Sequence, residues 1–104
     1  MPTWIENLQR LVALVEAKLA EAKAEEGPYD SSDYSAWRAR SDAATAKLVE
    51  FFQHHEDARF GVTGAHDHWV RMCGIRSSST GGYFGALQNW RTAALKKIEK
   101  AVAA

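Results

Sequence analysis

An all-α fold is what the sequence predicts: a small irregular four-helix bundle of two long antiparallel helices, one short helix and one long C-terminal helix. Three observations carry this expectation. Apolar residues recur at helical spacing through both N-terminal segments and the C-terminal one. Gly27-Pro28, and a group of glycines between Gly61 and Gly85, separate those segments. No stretch of useful length alternates apolar and polar residues as a strand would. At 104 residues and 46 % hydrophobic content, the chain is expected to form one domain, 1–104, around one modest core.

The first helix opens on Thr3-Trp4-Ile5-Glu6, where a hydroxyl and a carboxylate three residues apart form a capping-box pattern. Trp4, Leu8, Leu11, Val15 and Leu19 follow at helical spacing, with Val12 and Leu14 widening the stripe. Glu6 and Arg10 stand four apart in the favourable order. The alanine, lysine and glutamate of residues 17–26 are strong helix formers that bury little. They extend the helix to about Glu25, where Gly27-Pro28 stops it. A linker through Ser32 then leads to a second helix, capped by one of its Asp or Ser residues. Tyr34, Trp37, Ala44, Leu48, Phe51, Phe52 and His55 form its stripe, and the short linker predicts a helical hairpin.

Gly61-Val62-Thr63-Gly64 reads as a break. Thr63 reads as the N-cap of a short third helix from about Ala65 to Cys73, burying Trp69, Met72 and Cys73, with Gly74 as its left-handed C-terminal cap. Tyr83, Phe84, Leu87, Trp90, Ala94, Leu95, Ile98 and Val102 mark the last helix, whose end at Ala101–Ala104 is expected to fray.

The formal net charge of zero hides a split. Residues 1–57 hold six Lys/Arg against eleven Asp/Glu, a balance of −5; residues 58–104 hold seven against two, a balance of +5. Asymmetry of this kind points to a polyanionic partner on the basic side. No apolar run approaches the roughly 20 residues needed to span a bilayer, so no membrane role is expected. The absence of a basic-then-apolar leader predicts a cytoplasmic protein. A single cysteine, Cys73, excludes an internal disulfide framework. Small size together with four tryptophans predicts a homo-oligomer.

The stretch from Gly74 to Tyr83 draws the functional reading. It joins Arg76, the hydroxyls of Ser77, Ser78, Ser79 and Thr80, and Gly81 at the start of the last helix. A helix N-terminus offers unpaired N–H groups and partial positive charge to an anion, and arginine makes paired bonds to phosphate oxygens. The spacing does not fit a nucleotide-hydrolysing loop, and no strand is read before it. The segment also resembles a helix-turn-helix, with Val70 at the inner position and Arg76, Ser77 and Ser78 opening the recognition helix. Thr80, Gly81, Gly82 and Gly85 depart from that pattern.

The histidines His54, His55, His66 and His68 lack metal-ligand spacing, so no metal or other cofactor is expected. Cys73 beside Trp69 and Met72 reads as a small buried hydrophobe rather than a nucleophile with His66 or His68 as base. Trp4, Trp37, Trp69 and Trp90 fall on apolar stripes and read as core; an exposed one would mark a partner surface or a base-stacking platform.

The expected function is therefore non-enzymatic recognition of a phosphate-bearing ligand, nucleic acid or nucleotide, through the basic C-terminal half. Arg71, Arg76, Ser77, Ser78, Ser79, Thr80 and Gly81 would supply the contacts, Tyr83 or Phe84 would stack a base, and Arg91 with Lys96 and Lys97 would add field. The alternative is a small bacterial or phage-encoded protein-interaction module, an inhibitor or adaptor that covers a partner protein's surface.

Overall fold

Three long helices and a three-stranded antiparallel sheet make up residues 3–103, the residues that the computed structural model describes. In chain order they are α1 (Thr3–Glu26), α2 (Tyr34–His55), β1 (Arg59–Thr63), β2 (Asp67–Met72), β3 (Ile75–Ser79) and α3 (Gly82–Ala103). Thr3 is itself helical, and α1 runs one residue beyond its expected end. A single 3-10 turn at Ser31–Asp33 leads into α2, whose N-cap is Asp33, its carboxylate accepting the Ala36 N–H at 3.4 Å. Helix α3 continues through Ala103, and Ala104 lies outside the described residues.

The all-α helical bundle is corrected here to an α+β fold. Where a breaker, a short helix and a polar turn were expected, residues 59–79 form a β-meander of order β1-β2-β3. The expected third helix, Ala65 to Cys73, is strand β2 with the loop before it, and Ile75–Ser79 is a strand rather than a turn. The helix-turn-helix resemblance falls with it, because a strand and not a helix precedes Gly74. Burial along β2 shows the reason: Val70 and Met72 are buried while Arg71 between them is exposed, a period of two. Cys73 and Gly74 form the two-residue link to β3, with φ of 52° and 76°. Positive φ at both positions is the hairpin turn whose twist suits antiparallel strands. The left-handed glycine expected at 74 is there, but it closes a hairpin instead of a helix.

Helix α3 holds the parts together. It packs on the inner face of β3 and β2 and on α1, while α2 packs mainly on α1. The core joins Leu8, Leu11 and Val15 of α1, Leu48 and Phe52 of α2, Val70 and Met72 of β2, and Leu87, Trp90 and Ala94 of α3. Burying each large aliphatic side chain stabilises the fold by roughly 1.5–3 kcal/mol before entropy is counted. Trp90 is fully buried, and its indole N–H donates to the Met72 carbonyl at 3.0 Å, so the ring anchors the end of β2 without an orphaned polar atom. Ser79 sits so close to α3 that a Cβ on Gly85 would lie 2.5 Å from its Oγ. Small residues face each other there because the helix lies tightly on the edge strand.

At the far side of the core, Arg10 of α1 makes two bonds to Glu56, at 2.8 and 3.1 Å, beyond the end of α2. The hydrogen bond from Arg10 holds the Glu56 carboxyl below its ordinary value, against a smaller opposing effect of burial. The chain leaves α2 at this point, so the pair fixes where the helical hairpin ends and the sheet begins.

Candidate functional site

Strand alternation sorts the meander into two faces. Phe60, Val70, Met72, Ile75, Ser77 and Ser79 share the inner face toward α3, whereas Arg59, Gly61, Trp69, Arg71, Arg76 and Ser78 share the outer one. Pairing register then does something the linear sequence conceals. Arg59 pairs with Arg71, and Arg71 pairs with Arg76, so three arginines from three strands stand in one row. All three are exposed. Neighbouring strands lie about 4.8 Å apart, so the row spans about 10 Å at the backbone.

The row has little to neutralise it. Among the described residues, no ion pair within 4.0 Å involves Arg59, Arg71 or Arg76. Asp67 is the one acidic residue that the register assigns to this face, four positions from Arg71 along β2, or about 13 Å. Like charges directly opposite on a sheet are unfavourable. The fold therefore tolerates a local cost that a carboxylate at position 71 would relieve on both sides and one at position 59 or 76 on one side only.

Trp69 lies beside the row. It pairs with Gly61 on one side and Ser78 on the other. A Cβ at Gly61 would fall 2.5, 2.6 and 2.8 Å from the indole Cζ2, Cε2 and Nε1, so the ring lies across the bare backbone of that glycine. The Arg76 guanidinium sits 5.1 Å from the ring centroid, a cation–π contact. Of the four tryptophans expected in the core, only Trp90 is fully buried. Trp4 is 44 % exposed under Lys97, and Trp37 and Trp69 are half-buried.

The residues singled out in the sequence are thus divided by the fold. Arg71, Arg76 and Ser78 come together on the outer face. Ser77 and Ser79 point inward, and Ser79 Oγ accepts the Gly81 N–H at 2.9 Å, occupying one donor at the start of α3. Thr80 is exposed in the link between β3 and α3. Tyr83 packs edge-on against Phe60 and His68, with centroids 5.4 and 4.8 Å away, on the inner side of the sheet. Arg91 donates to Glu16 of α1 at 2.9 Å, far along α3 from the row. Arg59 and Trp69 join the site from outside the expected set. The alternation of Trp69 and Arg71 with Val70 and Met72 carried a signal for one; only the register brings in Arg59.

Other polar groupings are less suited to an anion. A cleft of about 900 Å3 between α2 and the start of α3 carries Glu26, Asp42 and Glu50 against Lys23 and Arg38. Arg38 is already bonded to Asp42 and Tyr34. Cys73 is exposed at the hairpin turn, not buried, and His68 is five residues away along β2, about 17 Å, too far to act as its base. Among the described residues no three metal-ligating side chains cluster, and no helix is long and apolar enough to cross a membrane. Comparison of the chain with family models, curated proteins and solved structures gives no match.

Proposed function

We propose that this chain is a non-enzymatic, cytoplasmic protein that binds a phosphate-bearing polyanion on the outer face of its sheet. The observation that carries the reading is the unneutralised row of Arg59, Arg71 and Arg76. Guanidinium groups at strand spacing offer parallel donors to successive phosphate oxygens, and each neutralised phosphate releases counterions. The charge split assists. Its boundary at residues 57/58 falls between α2 and β1, so the helical hairpin is acidic while the sheet and α3 are basic. Lys96, Lys97 and Lys100 on α3 add longer-range field.

Salt titration of binding to inorganic polyphosphate tests this. Affinity is expected to fall steeply with salt, and Arg59→Gln, Arg71→Gln and Arg76→Gln are each expected to reduce the log–log slope by about one. Arg40→Gln, on the acidic hairpin, leaves it unchanged. An absence of salt-sensitive binding, or a slope indifferent to the three arginines, overturns the reading.

A second reading, the protein-interaction module, draws support from a different place. The tip of the helical hairpin carries Tyr29 and Tyr34, 63 % and 46 % exposed, packed with Trp37 in edge and tilted contacts of 5.1–6.2 Å. Exposed aromatic clusters of this kind suit a protein partner or a second copy of the chain. Native mass spectrometry of the chain and of Tyr29→Ser/Tyr34→Ser reads the homo-oligomer directly; a monomer in both removes self-association from this reading.

A further inference from the structure

We infer that the polyanion is single-stranded nucleic acid and that Trp69 is the platform on which one of its bases stacks. This rests on the polyanion reading of the arginine row and goes beyond it, because phosphates alone do not require an aromatic ring.

Trp69 pays for its position. A tryptophan ring is ordinarily placed where it can be buried in the core, yet this one lies on the sheet face away from the core, only partly covered. It keeps that seat because position 61 across the strand has no side chain; any Cβ there would collide with three atoms of the indole. The glycine therefore lays the ring down along the sheet rather than letting it stand upright. Arg71 lies two residues along the same strand, about 7 Å away, and the Arg76 guanidinium from β3 sits over the ring, 5.1 Å from its centroid, where an arriving base displaces it toward the adjoining phosphate. A base on the indole thus has guanidinium groups on hand for its adjoining phosphates. Positive charge that follows a backbone, combined with an aromatic face that accepts any base, is the chemistry of single-strand binding.

The dimensions disfavour a duplex. Paired bases keep their faces inside the stack, beyond the reach of a ring lying on a sheet. The major groove, about 12 Å wide, admits a helix or a two-stranded ribbon. Three strands span about 10 Å before any side chain is added, and the arginine row extends across all three. The face fits a strand whose bases are already free.

The test measures binding of a labelled 15-nucleotide single strand, the same sequence as a duplex, and inorganic polyphosphate, at fixed salt. The single strand is expected to bind more tightly than the duplex. Trp69→Ala is expected to weaken it about 5- to 150-fold, the range for loss of one base–aromatic stack, while polyphosphate affinity is unchanged. Trp69→Phe retains most single-strand affinity, and Gly61→Val, which displaces the ring, weakens it without removing a charge. Circular dichroism of each variant shows whether it is folded, and Trp69→Phe with Gly61→Val decides the matter if Trp69→Ala is not. Equal affinity for strand, duplex and polyphosphate, or indifference to Trp69 and Gly61, overturns this inference and leaves the arginine row standing. Binding to none of the three overturns both.

Discussion

Replacing Arg71 by threonine should make the protein more stable and a poorer binder at once. Arg71 is the middle member of the row and has a like charge on both sides. At guanidinium separations of about 6–8 Å, each neighbouring pair would cost about 0.5–0.7 kcal/mol in water. Removing the centre relieves two pairs, about 1 kcal/mol, and threonine suits a strand. For a domain of this size that is a rise in Tm of about 5 °C. Arg59→Thr, which relieves one adjacent pair, should give about half. The assay is thermal unfolding in 10 mM and 1 M salt, followed by circular dichroism. At 1 M the Debye length shrinks to about 3 Å and the advantage should vanish. The salt comparison separates charge relief from any loss of packing by the arginine stem, which salt does not alter. A stability difference between Arg71→Thr and the parent that is independent of salt would refute the reasoning, since the row would then carry no repulsion.

Three further outcomes are expected. Cys73→Asn should stabilise the hairpin by about 0.5–1 kcal/mol in urea unfolding, because asparagine accepts the left-handed φ that Cys73 adopts beside Gly74. Trp90→Phe should destabilise by about 2–4 kcal/mol in the same assay, leaving the buried Met72 carbonyl without its donor and a void beside it. Glu56→Gln should cost about 1 kcal/mol at neutral pH, the upper range for a partly exposed ion pair with two bonds. The Glu56 carboxyl is lowered in the folded protein, so its contribution is present above its ordinary value near 4.5 and is lost as pH falls through the folded value. Unfolding curves of parent and variant should therefore converge in acid.

The helices were legible because their signals are local. The run from Leu8 to Leu19 on α1 and that from Leu87 to Ile98 on α3 state themselves within a few residues, although Ile5 and not Trp4 opens the buried stripe and the N-cap of α2 is Asp33, one residue past the expected linker. The meander was hidden for three physical reasons. Its inner face on β3 is Ile75, Ser77 and Ser79, small because α3 presses close at Gly85, so no apolar alternation appears. Its turn is Cys73-Gly74 rather than the Asn-Gly that announces such hairpins. Its strands are only five or six residues long, and His68-Trp69-Val70-Arg71-Met72 reads as an amphipathic helix turn as readily as a strand. The candidate site suffered from the same gap. The basic half of the chain, Arg71 and Arg76 could be picked out from composition, but the row needs Arg59, and register is a property of pairing that no single strand contains.

Helix α3 has a consequence for the order in which this molecule comes into being. The buried stripe of α1 and the inner face of the meander are covered by the same 22-residue helix, which follows both in the chain. The ion pair between Glu16 and Arg91 spans 75 positions, and Trp90 reaches back 18 to Met72. During synthesis the helical hairpin and the meander can each assemble from neighbours, yet both keep an apolar side facing water until Gly82 to Ala103 has emerged. Completion of the core is thus a single late event, and a chain released before that helix is made would present its adhesive surfaces to whatever lies nearby.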